Sequence, residues 1–105
     1  MNDISNGNVL HGRTAIITGA SQGLGLKIAM QYVAAGASVI ICARDEGMLS
    51  GAADVLKRSG SDDQGIFHMV VDVAESESVD ALIDFAIDKL GRIDVLVNNA
   101  GIYGL

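Results

Sequence analysis

The chain has 105 residues, half of them hydrophobic and 4% aromatic, with no proline, a composition that describes one globular α/β domain and excludes a disordered or disulfide-stapled chain. A formal net charge of −6 with Lys and Arg scattered along the chain lacks the clustered basic footprint of a nucleic-acid binder or a membrane-surface protein. No stretch is long and apolar enough to span a bilayer, the polar start lacks the basic flank and apolar run of a secretory signal, and Cys42 is the single cysteine, so a cytoplasmic location is expected.

Residues 1–11 read as a flexible lead-in to a first strand at about Arg13 to Thr18, whose apolar run Ala15-Ile16-Ile17 suits a strand buried on both faces of a parallel sheet. Thr18-Gly-Ala-Ser-Gln-Gly23-Leu-Gly25 follows and opens a helix at about Gly23 to Ala35. The first-turn N–H groups of such a helix have no intrahelical partner, and its dipole adds partial positive charge, so this corner suits a phosphate. Gly19 permits a sharp exit from the strand, Gly23 a close approach of a pyrophosphate, and Gly25 close packing of the helix on the sheet. The spacing Gly-x-x-x-Gly-x-Gly differs from both Gly-x-Gly-x-x-Gly and the P-loop; taken alone it fits either a dinucleotide turn or a glycine-rich turn that binds nothing. Leu24, Ile28 and Tyr32 are expected to form the apolar stripe of this helix, with Gly25 and Ala29 thinning the neighbouring face and Gly36 ending it.

Ser38 to Cys42 is a second doubly buried strand, in which Cys42 reads as a small core residue because no His or basic residue precedes it locally to stabilise a thiolate. A second helix, about Glu46 to Arg58, has Asp45 as its cap and an apolar face of Met48, Leu49, Ala52, Val55 and Leu56, although Gly47 and Gly51 each cost about 1 kcal/mol relative to Ala. After a polar loop, Ile66 to Val71 is a third strand, and a third helix from about Ser76 carries Val79, Leu82, Ile83, Ala86 and Leu90 on its core face before Gly91. Ile93 to Val97 is a fourth strand, ending in Asn98-Asn99-Ala100-Gly101. His11 and His68 have no Cys or carboxylate at ligand spacing, and no metal site is expected. The order β-α-β-α-β-α-β predicts a Rossmann-type parallel sheet with helices on both faces, strand order 3-2-1-4, and a crevice where the order reverses, between the carboxyl ends of strands 1 and 4.

A dinucleotide lying on the first helix would bring its adenosine ribose to the end of strand 2, where the sequence is Cys42-Ala43-Arg44. A cation in place of an acid favours a 2′-phosphate, hence NADP over NAD; the competing readings are Asp45 as a ribose acceptor and Arg44 as a solvated loop charge. Asp72-Val73, closing strand 3, either contacts adenine or forms a turn, and Asn98 and Asn99 either bond backbone across the sheet break or simply turn the chain.

Taken together, the glycine motif, Asp72-Val73 and Asn98-Asn99-Ala100-Gly101, in this order and on these elements, resemble the classical short-chain dehydrogenase/reductase family, with a pattern especially similar to 3-oxoacyl-carrier-protein reductases. The resemblance implies that Gly19, Ser21, Gln22, Gly23, Leu24 and Gly25 line the pyrophosphate and adenosine ribose. It further implies that Arg44 faces the 2′-phosphate of NADP, Asp72 and Val73 the adenine, and Asn99, Ala100 and Gly101 the cofactor riboses. Many NADP-preferring members have a basic residue where Gln22 stands, which leaves the discrimination to Arg44. The implied activity is hydride transfer between nicotinamide and a small-molecule carbonyl or secondary alcohol, in a cytoplasmic dimer or tetramer. In that family a Ser and a Tyr-x-x-x-Lys pair beyond strand 4 handle the substrate oxygen. Neither Tyr32, with Gly36 four places on, nor Tyr103 matches that pair, so no catalytic residue is assigned. The chain is expected to be the amino-terminal, cofactor-binding half of one such domain, incomplete and inactive by itself, because the apolar fourth strand would otherwise be an exposed sheet edge. The alternative is a non-catalytic dinucleotide-binding or scaffold module.

Overall fold

Seven elements alternate in the computed structural model, which describes residues 9–99: β1 (Thr14–Thr18), α1 (Gly23–Ala34), β2 (Ser38–Ala43), α2 (Glu46–Ser59), β3 (Ile66–Val70), α3 (Ser76–Leu90) and β4 (Val95–Val97). The strands form one parallel sheet in the order β3-β2-β1-β4, as the crossover rule predicts. In register, Ile16 lies between Ile40 on β2 and Leu96 on β4.

Alternation along the two central strands divides the core into two layers. Ala15, Ile17, Val39 and Ile41 pack against Ala29 and Val33 of α1 and against Leu49, Ala53 and Leu56 of α2. Ile16, Ile40 and Cys42 face the other way, onto Leu82 and Ala86 of α3. Every residue of β1 is buried, which is why its sequence is a continuous apolar run rather than an alternating one. Phe67 on β3 adds an edge-to-face contact with Phe85 on α3, with ring centroids 6.2 Å apart.

Three expected core positions are corrected. The stripe that α1 buries is Gly25, Ala29 and Val33, while Leu24 is 60% exposed. The smallest residues allow the closest approach of helix to sheet, so the helix turns that face inward and carries Leu24 outward, with Ile28 and Tyr32 packed at its margin. Met48 on α2 is exposed, its place on the buried face taken by Ala53. On α3 only Leu82 and Ala86 are buried and Ile83 is exposed, because a single sheet layer below the helix covers a narrower arc than its apolar pattern spans.

Contacts at the amino end of the sheet set its register. Leu10, at the end of the expected lead-in, donates its N–H to Ala35 O at 2.8 Å and packs on the first core layer. The Gln64 amide donates to Val33 O and Ala37 O at 2.9 and 2.6 Å, fixing the α2–β3 loop to the α1–β2 turn. Between β1 and β4, Asp94 Oδ2 accepts the Thr14 N–H at 2.8 Å, and the Thr14 hydroxyl donates to Arg92 O at 2.6 Å. The Arg92 guanidinium, 2.7 Å from Asp94 Oδ1, together with the Thr14 N–H, holds the Asp94 carboxyl below its ordinary value. A carboxyl depressed in the folded state contributes stability above the unfolded value, about pH 4, and that contribution is lost as pH falls through the folded value. Asp94→Asn is therefore expected to lower the urea midpoint at pH 7, with the gap from the unsubstituted chain narrowing as pH falls below the unfolded value. A gap independent of pH would show that the carboxylate charge contributes nothing.

Candidate functional site

At the carboxyl end of β1 the chain leaves the sheet through Gly19, which has the left-handed φ of 63°, and the next N–H, from Ala20, donates to Cys42 O on β2 at 3.1 Å. Gln22 is extended, with φ −164°, and Gly23 reverses the chain into α1 at φ 58°. A Cβ placed on Gly23 would meet nothing within 4 Å, so the need for glycine there is conformational and the space above the backbone is open. Gly25 is constrained differently. A Cβ there would overlap the Gly19 carbonyl oxygen and come within 2.8 Å of Asn99 Nδ2. The expected close packing of Gly25 is real, but its partners are the glycine turn itself and the exit from β4.

The start of α1 has no side-chain cap and no acid in its first turn. By contrast α2 is capped by Asp45, whose Oδ1 accepts the Met48 N–H at 2.9 Å, and carries Glu46 in its first turn. One helix end is neutralised from within the described chain; the other presents N–H groups and dipole charge with no anion supplied.

That end borders a cleft of about 340 Å³ at the carboxyl ends of the strands. Seven of the sequence-predicted residues line it: Gly19, Ser21, Gln22, Arg44, Asp72, Val73 and Asn99. Gly23, Leu24 and Gly25 are outside its lining, with Leu24 on the solvent side and Gly25 buried beneath the turn. Ala100 and Gly101 lie outside the described residues. The cleft reaches further than the expected crevice between β1 and β4, extending across β2 to the end of β3. Thr18, Cys42, Ala43 and Val71 line it in addition; they are the last or next-to-last residues of their strands or directly after one, a positional signal that the topology alone could have supplied.

Arg44 is exposed at the β2 end of the cleft and has no hydrogen bond or ion pair among the described residues, which leaves a rigid, bidentate donor fork for an anion. Asp45 serves as the cap of α2. Asp72 is half-buried and uses Oδ1 to accept the Ala74 N–H at 3.0 Å, forming a turn at the cleft wall. At the other wall the Asn99 amide donates to Gly19 O at 3.1 Å, and Asn98 Oδ1 accepts the Thr18 hydroxyl at 3.1 Å. These two contacts join the exit of β4 to the exit of β1 across the point where the strand order reverses. Burial pushes the Cys42 thiol up to about 12, so the sulfur at the cleft floor is a protonated packing group.

Comparison with known proteins places this geometry. The sequence model of the family described as short chain dehydrogenase matches residues 13–105. The chain is 41% identical over 93 residues to short-chain dehydrogenase/reductase 1 of Saponaria officinalis, covering 89% of this chain and 31% of the relative. Among solved structures, a short chain dehydrogenase from Mycobacterium smegmatis superposes with a TM-score of 0.85 at 36% identity, covering 97% of this chain and 42% of that one. L-sorbose reductase from Gluconobacter frateurii, complexed with NADPH and L-sorbose, superposes with a TM-score of 0.83 at 38% identity, covering 91% of this chain and 35% of that one. This chain therefore spans about a third of the curated relative's length and about two-fifths or less of these structures.

Proposed function

Because this chain belongs to the short chain dehydrogenase family, we propose that its cleft holds NADP and that the chain is the cofactor-binding half of an oxidoreductase acting on a small-molecule carbonyl or secondary alcohol. The observation that carries this reading is the uncapped start of α1 beside open backbone at Gly23, next to a cleft that ends on the Arg44 guanidinium, which has no partner among the described residues. An anionic ligand fits both ends of that cleft: N–H groups and helix dipole at one, a bidentate cation at the other.

On this reading Gly19, Ser21, Gln22, Gly23, Leu24 and Gly25 serve the pyrophosphate and adenosine ribose, Arg44 the 2′-phosphate, and Asp72 with Val73 the adenine. Asn99, Ala100 and Gly101 serve the riboses. Leu24, 60% exposed and outside the cleft lining, is assigned through its backbone at the start of α1. NADP, when bound, supplies the hydride-carrying nicotinamide. The described residues supply positioning, and no side chain among those lining the cleft is assigned to proton transfer. The 105-residue chain is accordingly expected to bind the dinucleotide without turnover. NADPH is the ligand named for the L-sorbose reductase structure, which supports the same choice here.

Arg44→Asp tests the choice of cofactor. Removing a charged donor from a phosphate and adding a like charge is expected to weaken NADP⁺ by about 10–100-fold, on the scale of a hydrogen bond to a charged group, and NAD⁺ by about threefold or less. Calorimetric titration of both dinucleotides measures this. Equal loss for the two would reject a role for Arg44 at the 2′-phosphate.

A further inference from the structure

Asp72 has four hydrogen-bonding atoms, and the fold occupies three of them. Its Oδ1 accepts the Ala74 N–H at 3.0 Å, its carbonyl oxygen accepts the Glu75 N–H at 3.0 Å, and its own N–H donates to the Ser78 hydroxyl oxygen at 3.2 Å. Among the described residues only Oδ2 has no partner. Two of the three restraints are made by backbone groups of the following turn. The third comes from a side chain, half-buried on the first turn of α3 and outside the lining of the cleft.

We propose that Ser78 is a positioning residue: by anchoring the Asp72 backbone it aims one carboxylate oxygen at the cleft, and so determines how strongly the site distinguishes a 6-amino purine from a 6-oxo purine. The inference rests on the dinucleotide reading given above. A carboxylate is acceptor-only. The amino group of adenine donates to it, whereas the 6-oxygen of hypoxanthine, itself an acceptor, opposes it. Selectivity of this kind depends on the oxygen being held in place, since a carboxylate free to rotate or withdraw avoids the wrong base as easily as it meets the right one. Ser78 supplies the one restraint that a side-chain substitution removes while the two bonds from the Ala74 and Glu75 N–H groups remain, and its hydroxyl contributes through Asp72 rather than by touching the ligand.

The test titrates NADP⁺ and its hypoxanthine analogue into the unsubstituted chain, Ser78→Ala and Ser78→Thr, with urea unfolding of each. Ser78→Ala is expected to weaken NADP⁺ by about 3–10-fold, the worth of one neutral hydrogen bond, and to leave the hypoxanthine analogue within about twofold or tighter, collapsing the preference for adenine. Ser78→Thr, which keeps the hydroxyl, is expected to restore that preference. Equal weakening of both ligands by Ser78→Ala would reduce Ser78 to a structural residue of α3 and overturn the proposal. So would an unsubstituted chain that binds both ligands equally, although the dinucleotide reading would survive that result. An unsubstituted chain that binds neither would overturn the dinucleotide reading and this inference with it.

Discussion

Gly25→Ala is expected to abolish measurable binding of NADP⁺ and to cost the chain about 3 kcal/mol of stability, although it adds a single methyl group. The new carbon would overlap the Gly19 carbonyl oxygen and crowd Asn99 Nδ2. The first obstacle is backbone, which cannot rotate out of the way as a long side chain would. Relief requires α1 to lift from the turn or Gly19 to leave its left-handed conformation. The first breaks the alignment of the helix start with the cleft, and the second breaks the 3.1 Å bond from Asn99 that ties β4 to the turn. Gly23→Ala is the comparison that isolates the mechanism. Its added carbon meets nothing, so the cost is the left-handed conformation alone, about 1–2 kcal/mol, and the fold is expected to persist with weakened binding. Urea unfolding and titration with NADP⁺ on both variants decide the matter; a Gly25→Ala chain as stable and as competent as the unsubstituted one would refute the overlap.

Gly19, Gly23 and Gly25 mark a turn that local sequence announces, while the contacts around Gly25 are set by distant chain. Strand order, the parallel arrangement and the capping of α2 by Asp45 follow from apolar runs, turn residues and the handedness of crossovers, all of which act within a short stretch of chain or through a general rule. Leu24 and Ile83 fall outside the buried stripes because periodicity names the apolar arc of a helix but not which part of that arc its neighbours cover. The answer depended on Gly25 and Ala29 letting α1 approach the sheet, and on α3 having one layer beneath it. The sequence around Asp72 fits both a turn and a ligand contact; the turn uses Oδ1 and leaves Oδ2 without a partner among the described residues, so the two roles are compatible. The Asp94–Thr14, Gln64–Ala37 and Asn99–Gly19 contacts join residues 80, 27 and 80 positions apart. No local pattern announces pairs at such separations. Ser78 was invisible for a related reason: a serine early in a helix is commonplace until the N–H it receives is known.

Ile40→Ala is expected to destabilise the chain by about 2–5 kcal/mol, the range for deleting most of a fully buried aliphatic side chain. Ile40 has no exposed surface. It stands between Ile16 and Phe67 in register and in the layer that α3 closes, so its removal opens a cavity bounded by two strands and a helix that are all held by other contacts. The site makes this loss functional, since the strand that Ile40 anchors carries Cys42 to the cleft and leads directly into Arg44. A domain with about 5–15 kcal/mol to lose would then unfold appreciably under mild denaturant, and bound NADP⁺ would recover part of the midpoint through linkage. Ile83→Ala removes the same atoms from the flank of α3, where the residue is 38% exposed, and is expected to cost less, about 1–2 kcal/mol, because part of that side chain is already in water. The ratio of the two losses measures how α3 is seated. Urea midpoints that fall equally for both variants would mean that the helix buries the wide arc drawn by its sequence, and that the second core layer is not the narrow contact of Leu82 and Ala86 on β1 and β2.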